Sequence, residues 1–159
     1  MRKLITTAAA AALLLLAIAA AVQAAGGARL NGSFNVTATI QDNDIGIPVG
    51  TDTTDVYVFK STCKSGACSK VGLIRKSGGR NVKSTLHKTA PGVYKGTEGP
   101  EPYVCVKPIG APGQFTGDHK IKVTKSANGL ATKVSGTTAI HITGCTETFE
   151  DVALKGKLK

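Results

Sequence analysis

Apolar and polar residues alternate along most of this chain with a period of two. The clearest run is LNGSFNVTATI, in which Leu30, Gly32, Phe34, Val36, Ala38 and Ile40 interleave with Asn31, Ser33, Asn35, Thr37 and Thr39. Alternation without a break over this length predicts a strand with one buried and one wet face. Its valines and threonines suit a pleated, half-buried surface. The same period recurs in DVYVFKSTC, CSKVGLIRK, NVKSTLHK, HKIKVTK, TKVSGTTAIHIT and DVALKGKLK. VYKGT and PYVCV read as two short strands around an EGPEP loop, and GAPGQFTGD reads as a longer loop. KSGGRN, TAPGV and Asn128-Gly129 supply turn residues, the last being a strong hairpin signal.

These elements amount to eight or nine strands, with no helix beyond the first residues. Connections this short force consecutive strands to pair antiparallel, which predicts a meander. The sheet can close into a barrel or fold into a two-sheet sandwich. LNGSF near one end of the pattern and LKGKL at the other each place glycine between apolar residues, as strands do where they bend or approach closely. Pairing of the first and last strands would also remove both exposed edges, so the pattern favours the barrel. In a sandwich, the terminal lysines would instead protect an open edge.

The first residues change the picture of compartment. Met1-Arg2-Lys3 precedes the uncharged, alanine-rich run LITTAAAAALLLLAIAAAV, and VQA then offers a small-residue exit. This is the layout of a secretory signal peptide over 1–24, cleaved after Ala24. Residues 25–159 then form a single all-β domain without a transmembrane anchor, secreted or associated with the cell wall. In an exported chain four cysteines imply a disulfide framework rather than a metal site. The short KSGA loop favours Cys63–Cys68, which leaves Cys105–Cys145 to join distant segments. Neither the spacing of a zinc knuckle nor a C-x-x-C redox pair is present.

Charge narrows the partners. The chain carries 20 basic and 10 acidic residues, a formal net charge of +10, and loss of Arg2 and Lys3 would leave +8. Lys120 and Lys122, and Lys155, Lys157 and Lys159, fall on the polar faces of two predicted strands, forming two basic stripes. Side by side they would suit an anionic envelope polymer or a lipid headgroup. Seven aromatic residues, most of them claimed by the core, argue against nucleic acid, which needs exposed stacking platforms.

Gly32-x-Phe34-x-Val36-Thr37, Tyr57-x-Phe59-x₃-Cys63-x₄-Cys68, Tyr94-x-Gly96 and Cys105 together resemble a group of small exported, disulfide-containing β-rich proteins of actinobacteria. That group has no assigned function, and Tyr57 stands where the group has tryptophan. The organisation is also similar to lipocalin-like and calycin barrels, which carry small apolar ligands. The lipocalin G-x-W motif is missing, since the chain has no tryptophan. No functional residue carries over from either likeness; an internal cavity lined by Phe34, Val36, Tyr94, Ile121, Val134 and Ile140 would favour a carrier of a small apolar ligand, and a core filled by those side chains would favour a ligand-free module.

Signals for catalysis are weak. His87, His119 and His141 all fall inside alternating strands, and His119 on an inward face reads as a satisfied core residue. No nucleophile elbow or metal-spaced histidine–carboxylate pair appears. Asp42, Asn43, Asp44 and Gly46, with Asp52 and Asp55 nearby, resemble the start of a calcium loop but lack its spacing and closing glutamate. Glu98 and Glu101 could form an acid pair, but the glycine and prolines around them predict a mobile loop. The expectation is therefore a non-enzymatic binding protein without cofactor or metal, carrying a small apolar ligand or adhering to an anionic envelope component. The alternative is an immunoglobulin-like interaction module of the cell surface with no ligand.

Overall fold

The computed structural model describes residues 27–159, so the expected leader at 1–24 lies outside the described residues. Eight antiparallel strands form one closed barrel in sequence order. They are β1 (Gly32–Asn43), β2 (Asp52–Ser61), β3 (Lys70–Ser77), β4 (Arg80–Ala90), β5 (Val93–Val104), β6 (Pro112–Ala127), β7 (Leu130–Thr143) and β8 (Phe149–Leu158). β1 pairs with β8 from Phe34↔Leu158 to Asn43↔Glu150, which closes the meander on itself. The sandwich is thereby set aside, and with it the immunoglobulin-like topology.

Two boundaries differ from the sequence reading. EGPEP does not separate two strands: β5 passes through it, with a register shift against β6 between Glu98 and Glu101. The shift accommodates Pro100, which has no N–H to offer the ladder. GAPGQFTGD is mostly strand as well, because β6 begins at Pro112. The signal at Asn128-Gly129 holds: both residues have positive φ, 50° and 73°, and join β6 to β7.

Inward positions follow the predicted alternation. Phe34, Val36, Ala38 and Ile40 of β1 are all buried, as are Tyr57 and Phe59 of β2. Phe34 and Phe59 meet edge to face, with ring centroids 5.3 Å apart. Full burial of a phenylalanine contributes about 1.5–3 kcal/mol, so this pair anchors the lower half of the barrel. Gly136 of β7 shows why glycines recur inside strands. A Cβ there would lie 2.1 Å from the Lys120 carbonyl oxygen, so any side chain would push β6 and β7 apart.

The two ends of the barrel are built differently. At one end Ala28, Leu30, Cys68 and Ala131 join the hydrophobic core and close it. Arg29 pins this plug through backbone bonds to Gly129 and Ala131 and through Nη1 donating to the Lys64 carbonyl at 2.7 Å. The other end, the mouth, carries the β1–β2, β3–β4, β5–β6 and β7–β8 connections. Cys105–Cys145 staples two of these, and Cys63–Cys68 closes the β2–β3 turn at the plugged end. Both expected disulfides are therefore present. They are compatible with an extracellular protein.

Candidate functional site

Two regions concentrate polar chemistry. One covers the outer wall over β5 to β8, and the other is a chamber inside the mouth.

On the outer wall, Lys95, Lys120, Lys122, Lys125, Lys133, Lys155, Lys157 and Lys159 are all exposed. Strand register brings the two predicted stripes together. Lys122 and Lys155 both pair with Ser135 of β7, which places them two strands, roughly 10 Å, apart. Lys95 sits directly opposite Lys120, Lys125 opposite Lys133, and Lys133 opposite Lys157. Like charges directly opposed across a ladder are destabilising. None of these lysines is in an ion pair among the described residues. A surface groove of about 710 Å³ runs here, lined by Asn35, Thr37, Lys133, Lys155 and Lys157 among others.

The chamber was not expected. Asp55, Arg75, Glu98, His119 and Thr138 occupy inward positions in the upper half of the barrel, where alternation would ordinarily place apolar side chains. Glu98 is 1% exposed, which corrects the reading of a mobile loop around it. Arg75 grips both of its oxygens: Nη2 donates to Oε1 at 2.6 Å, and Nε is shared between Oε1 at 3.0 Å and Oε2 at 3.2 Å. The Arg75 guanidinium also lies over the Phe115 ring, 5.8 Å from its centroid. His119 Nε2 stands 3.0 Å from Glu98 Oε2, a close charge contact that is off-line for a full hydrogen bond. Its Nδ1 is 2.8 Å from Thr138 Oγ1, and Thr138 in turn hydrogen-bonds the Tyr57 hydroxyl. His119 is a buried interior residue, as expected, but only Nδ1 has a hydrogen-bond partner, and Nε2 has the Glu98 approach alone.

The electrostatics follow from these contacts. Burial alone would raise the Glu98 pKa, but the His119 and Arg75 partners outweigh it and hold the carboxyl below its ordinary value. Burial likewise opposes the charge on Arg75, yet the Glu98 bonds and charge raise its pKa. Glu150, at the rim, has its carboxyl pushed up by burial, partly offset by Arg75. Burial also pushes the Tyr57 hydroxyl far above its usual range. The chamber encloses about 190 Å³ and is lined by Ala38, Thr53, Asp55, Tyr57, Arg75, Ser77, Glu98, Thr138, Ile140, Glu150, Val152 and Leu154.

The six residues expected to line an apolar cavity are placed differently from one another. Phe34, Val36, Tyr94, Ile121 and Val134 are packed in the hydrophobic core, with Tyr94 0% exposed. Only Ile140 borders the chamber. The acidic run that resembled a calcium loop is tied into the mouth. Asp44 accepts from the Thr148 N–H and hydroxyl at 2.8 and 2.7 Å, while Asn43 Oδ1 accepts from the backbone of Gly46 and Ile47. Asp55 belongs to β2 and faces the interior, apart from that run. Glu147 accepts from the backbone N–H groups of Val106 and Lys107, bracing the same rim. Among the described residues, Cys105, Cys145 and Glu147 are the metal-ligating types that converge on one point, and both sulfurs are spent in the disulfide.

Ile47, Val49, Val104, Val106 and Ile109 are exposed around the mouth, Ile109 at 93%. His87 and His141 are both on the outer wall. No protein-family model, curated protein or solved structure matches this chain.

A parity signal could have located the chamber. Asp55 is in phase with Tyr57 and Phe59, Arg75 with Val71 and Leu73, and Glu98 with Tyr94. A charge in phase with buried neighbours on three separate strands marks a polar layer inside the barrel.

Proposed function

We propose that this chain is a secreted, non-enzymatic binding protein whose outer β5–β8 wall adheres to an anionic polymer of the cell envelope. The observation that carries the reading is the set of directly opposed lysine pairs, Lys95–Lys120, Lys125–Lys133 and Lys133–Lys157, none of them neutralised by a carboxylate. A sheet that tolerates such repulsion gains the most from a polyanion laid across it. The wall of a closed barrel is convex, so a flexible polymer can follow all four strands where a flat bilayer would touch a narrow strip. The packing of Phe34, Tyr94 and Ile121 within the hydrophobic core supports placing the contact on the outer wall.

Sedimentation with polyphosphate and with poly-L-glutamate tests this. The unmodified protein is expected to bind both, with affinity falling steeply as salt is added. A Lys122→Glu/Lys133→Glu/Lys155→Glu variant should lose that binding while keeping its thermal stability. Binding that survives the triple reversal, or that is indifferent to salt, would overturn the proposal. Selective binding to phosphatidylglycerol vesicles instead would move the partner to lipid.

A further inference from the structure

Two rows of outward side chains run across the strands of the basic wall. In the first, Thr37 of β1 stands opposite Lys155 of β8, Lys155 opposite Ser135 of β7, and Ser135 opposite Lys122 of β6. In the second, one step nearer the plugged end, Asn35, Lys157, Lys133 and Lys125 line up over the same four strands. Between the rows, Val134 and Gly156 are buried inward positions, so main chain forms the floor of the 710 Å³ groove. Among the described residues, the side chains of Asn35, Thr37, Thr124 and Ser135 have no hydrogen-bond partner, and Lys133, Lys155 and Lys157 have no ion pair.

Given the polyanion-binding wall proposed above, on which this assignment rests, we infer that the groove takes a phosphodiester polymer whose repeats carry free hydroxyl groups, a polyol phosphate. The lysines receive the phosphates, and Asn35, Thr37 and Ser135 receive the hydroxyls. Donor and acceptor chemistry sets this choice. A lysine ammonium brings three donors and no acceptor, whereas a hydroxyl or a carboxamide both donates and accepts. A ligand built of anionic oxygens alone supplies acceptors to both and leaves the side-chain oxygens of Asn35, Thr37 and Ser135 without a donor. Hydroxyls on the ligand supply it.

Spacing agrees with chemistry. Neighbouring strands lie about 4.8 Å apart, so Lys155 and Lys122 stand roughly 10 Å apart along the first row, with Ser135 midway and Thr37 beyond. Hydroxyl and cation therefore alternate across four strands, and a chain in which hydroxylated carbons alternate with phosphates matches that order. Polyphosphate carries charge on every unit and has no hydroxyl to offer Ser135. No aromatic side chain lines the groove, so nucleobases find no stacking surface there. A lipid headgroup offers the same phosphate and hydroxyls only as separate units in a flat layer, whereas the rows follow the curve of the wall.

Calorimetric titration of the protein with poly(ribitol phosphate) and with polyphosphate, matched in number of charges and in ionic strength, is the test. Poly(ribitol phosphate) is expected to bind about tenfold more tightly, the scale of one or two net hydrogen bonds. Thr37→Val/Ser135→Ala keeps every lysine and should abolish that preference. If thermal melts show that this variant does not fold, Asn35→Ala is expected to reduce the preference in the same direction. Equal affinity for the two polymers, or a preference that survives these substitutions, would overturn the hydroxyl assignment and leave the polyanion reading in place. Failure of both polymers to bind would overturn the polyanion reading and this assignment with it. Tighter binding of polyuridylate, or of phosphatidylglycerol vesicles, than of poly(ribitol phosphate) would overturn it in favour of nucleic acid or lipid.

Discussion

Glu98 and Gly117 are cross-strand partners in the β5–β6 ladder, and the carboxylate fills the space that a side chain at 117 would occupy. A Cβ at Gly117 would lie 3.0 Å from both Cγ and Oε1 of Glu98. The polar layer therefore depends on a residue with no polar atom in its side chain. Gly117→Val is expected to push Glu98 out of the Arg75 fork and destabilise the protein by about 3 kcal/mol or more, combining overpacking with a broken buried pair. Urea denaturation would measure it. A change within a few tenths of a kcal/mol would mean that Glu98 can relocate without loss.

The Arg75–Glu98 pair invites a double-mutant cycle. Glu98→Gln removes the hydrogen-bonded counter-charge and leaves the guanidinium with Asp55 alone, 3.7 Å away, at a cost of about 3 kcal/mol, the low end for a broken buried pair. Arg75→Met should act similarly from the other side. The double variant Arg75→Met/Glu98→Leu should recover a large part of the loss, because desolvation of both ions is no longer required. Additive losses in denaturant melts would show that the two residues act separately.

The two disulfides should differ in weight. Cys105–Cys145 spans 40 positions and Cys63–Cys68 spans 5. Loop-closure entropy assigns roughly 4 kcal/mol to the longer link and roughly 2 to the shorter. Paired serine substitutions, compared by chemical denaturation, should rank in that order. The reverse ranking would place the structural weight on the plugged end, where the shorter disulfide sits beside Arg29.

Acid should destabilise the barrel through its interior. Glu98 titrates below the ordinary 4.5 in the folded chain, so its contribution is complete above that value and is lost as pH falls through the lower folded one. Thermal melts are expected to hold from neutral pH to near the ordinary carboxylate range and then drop. A Glu98→Gln variant, already less stable, should show a shallower acid slope.

Glu150 carries the opposite sign. Burial raises its folded pKa, so its protonated form is favoured, and that contribution is lost as pH rises through the folded value. Glu150→Gln should therefore raise stability at neutral pH by roughly a few tenths of a kcal/mol, the scale of a partly solvated charge, and give no advantage in acid. A variant less stable than its parent at neutral pH would mean that the carboxylate has a favourable partner there.

Much of this architecture can be read from residue order. The alternation in LNGSFNVTATI and DVALKGKLK defines the two strands that close the barrel, and Asn128-Gly129 marks a turn whose backbone demands those residues. Both disulfides follow from cysteine spacing. Strand β5 was less legible because Gly99 and Pro100 are local loop formers, and it is the β6 ladder, paired at Glu98–Gly117 and again at Glu101–Phe115, that carries the strand past them. The chamber escaped for a related reason. A single charge in a strand suggests a wet face, and the inward parity of Asp55, Arg75 and Glu98 becomes compelling only when three strands are superposed by the closed topology.

Because β1 pairs with β8, each described strand has a neighbour on both sides, and among the described residues β6, β7 and β8 are laddered along both flanks. A peptide cannot join the sheet as an extra strand along that wall, and copies of the protein cannot pair edge to edge there. Recognition along the wall must be read by side chains, the lysines foremost, so altering a partner's backbone should matter far less than altering its charge.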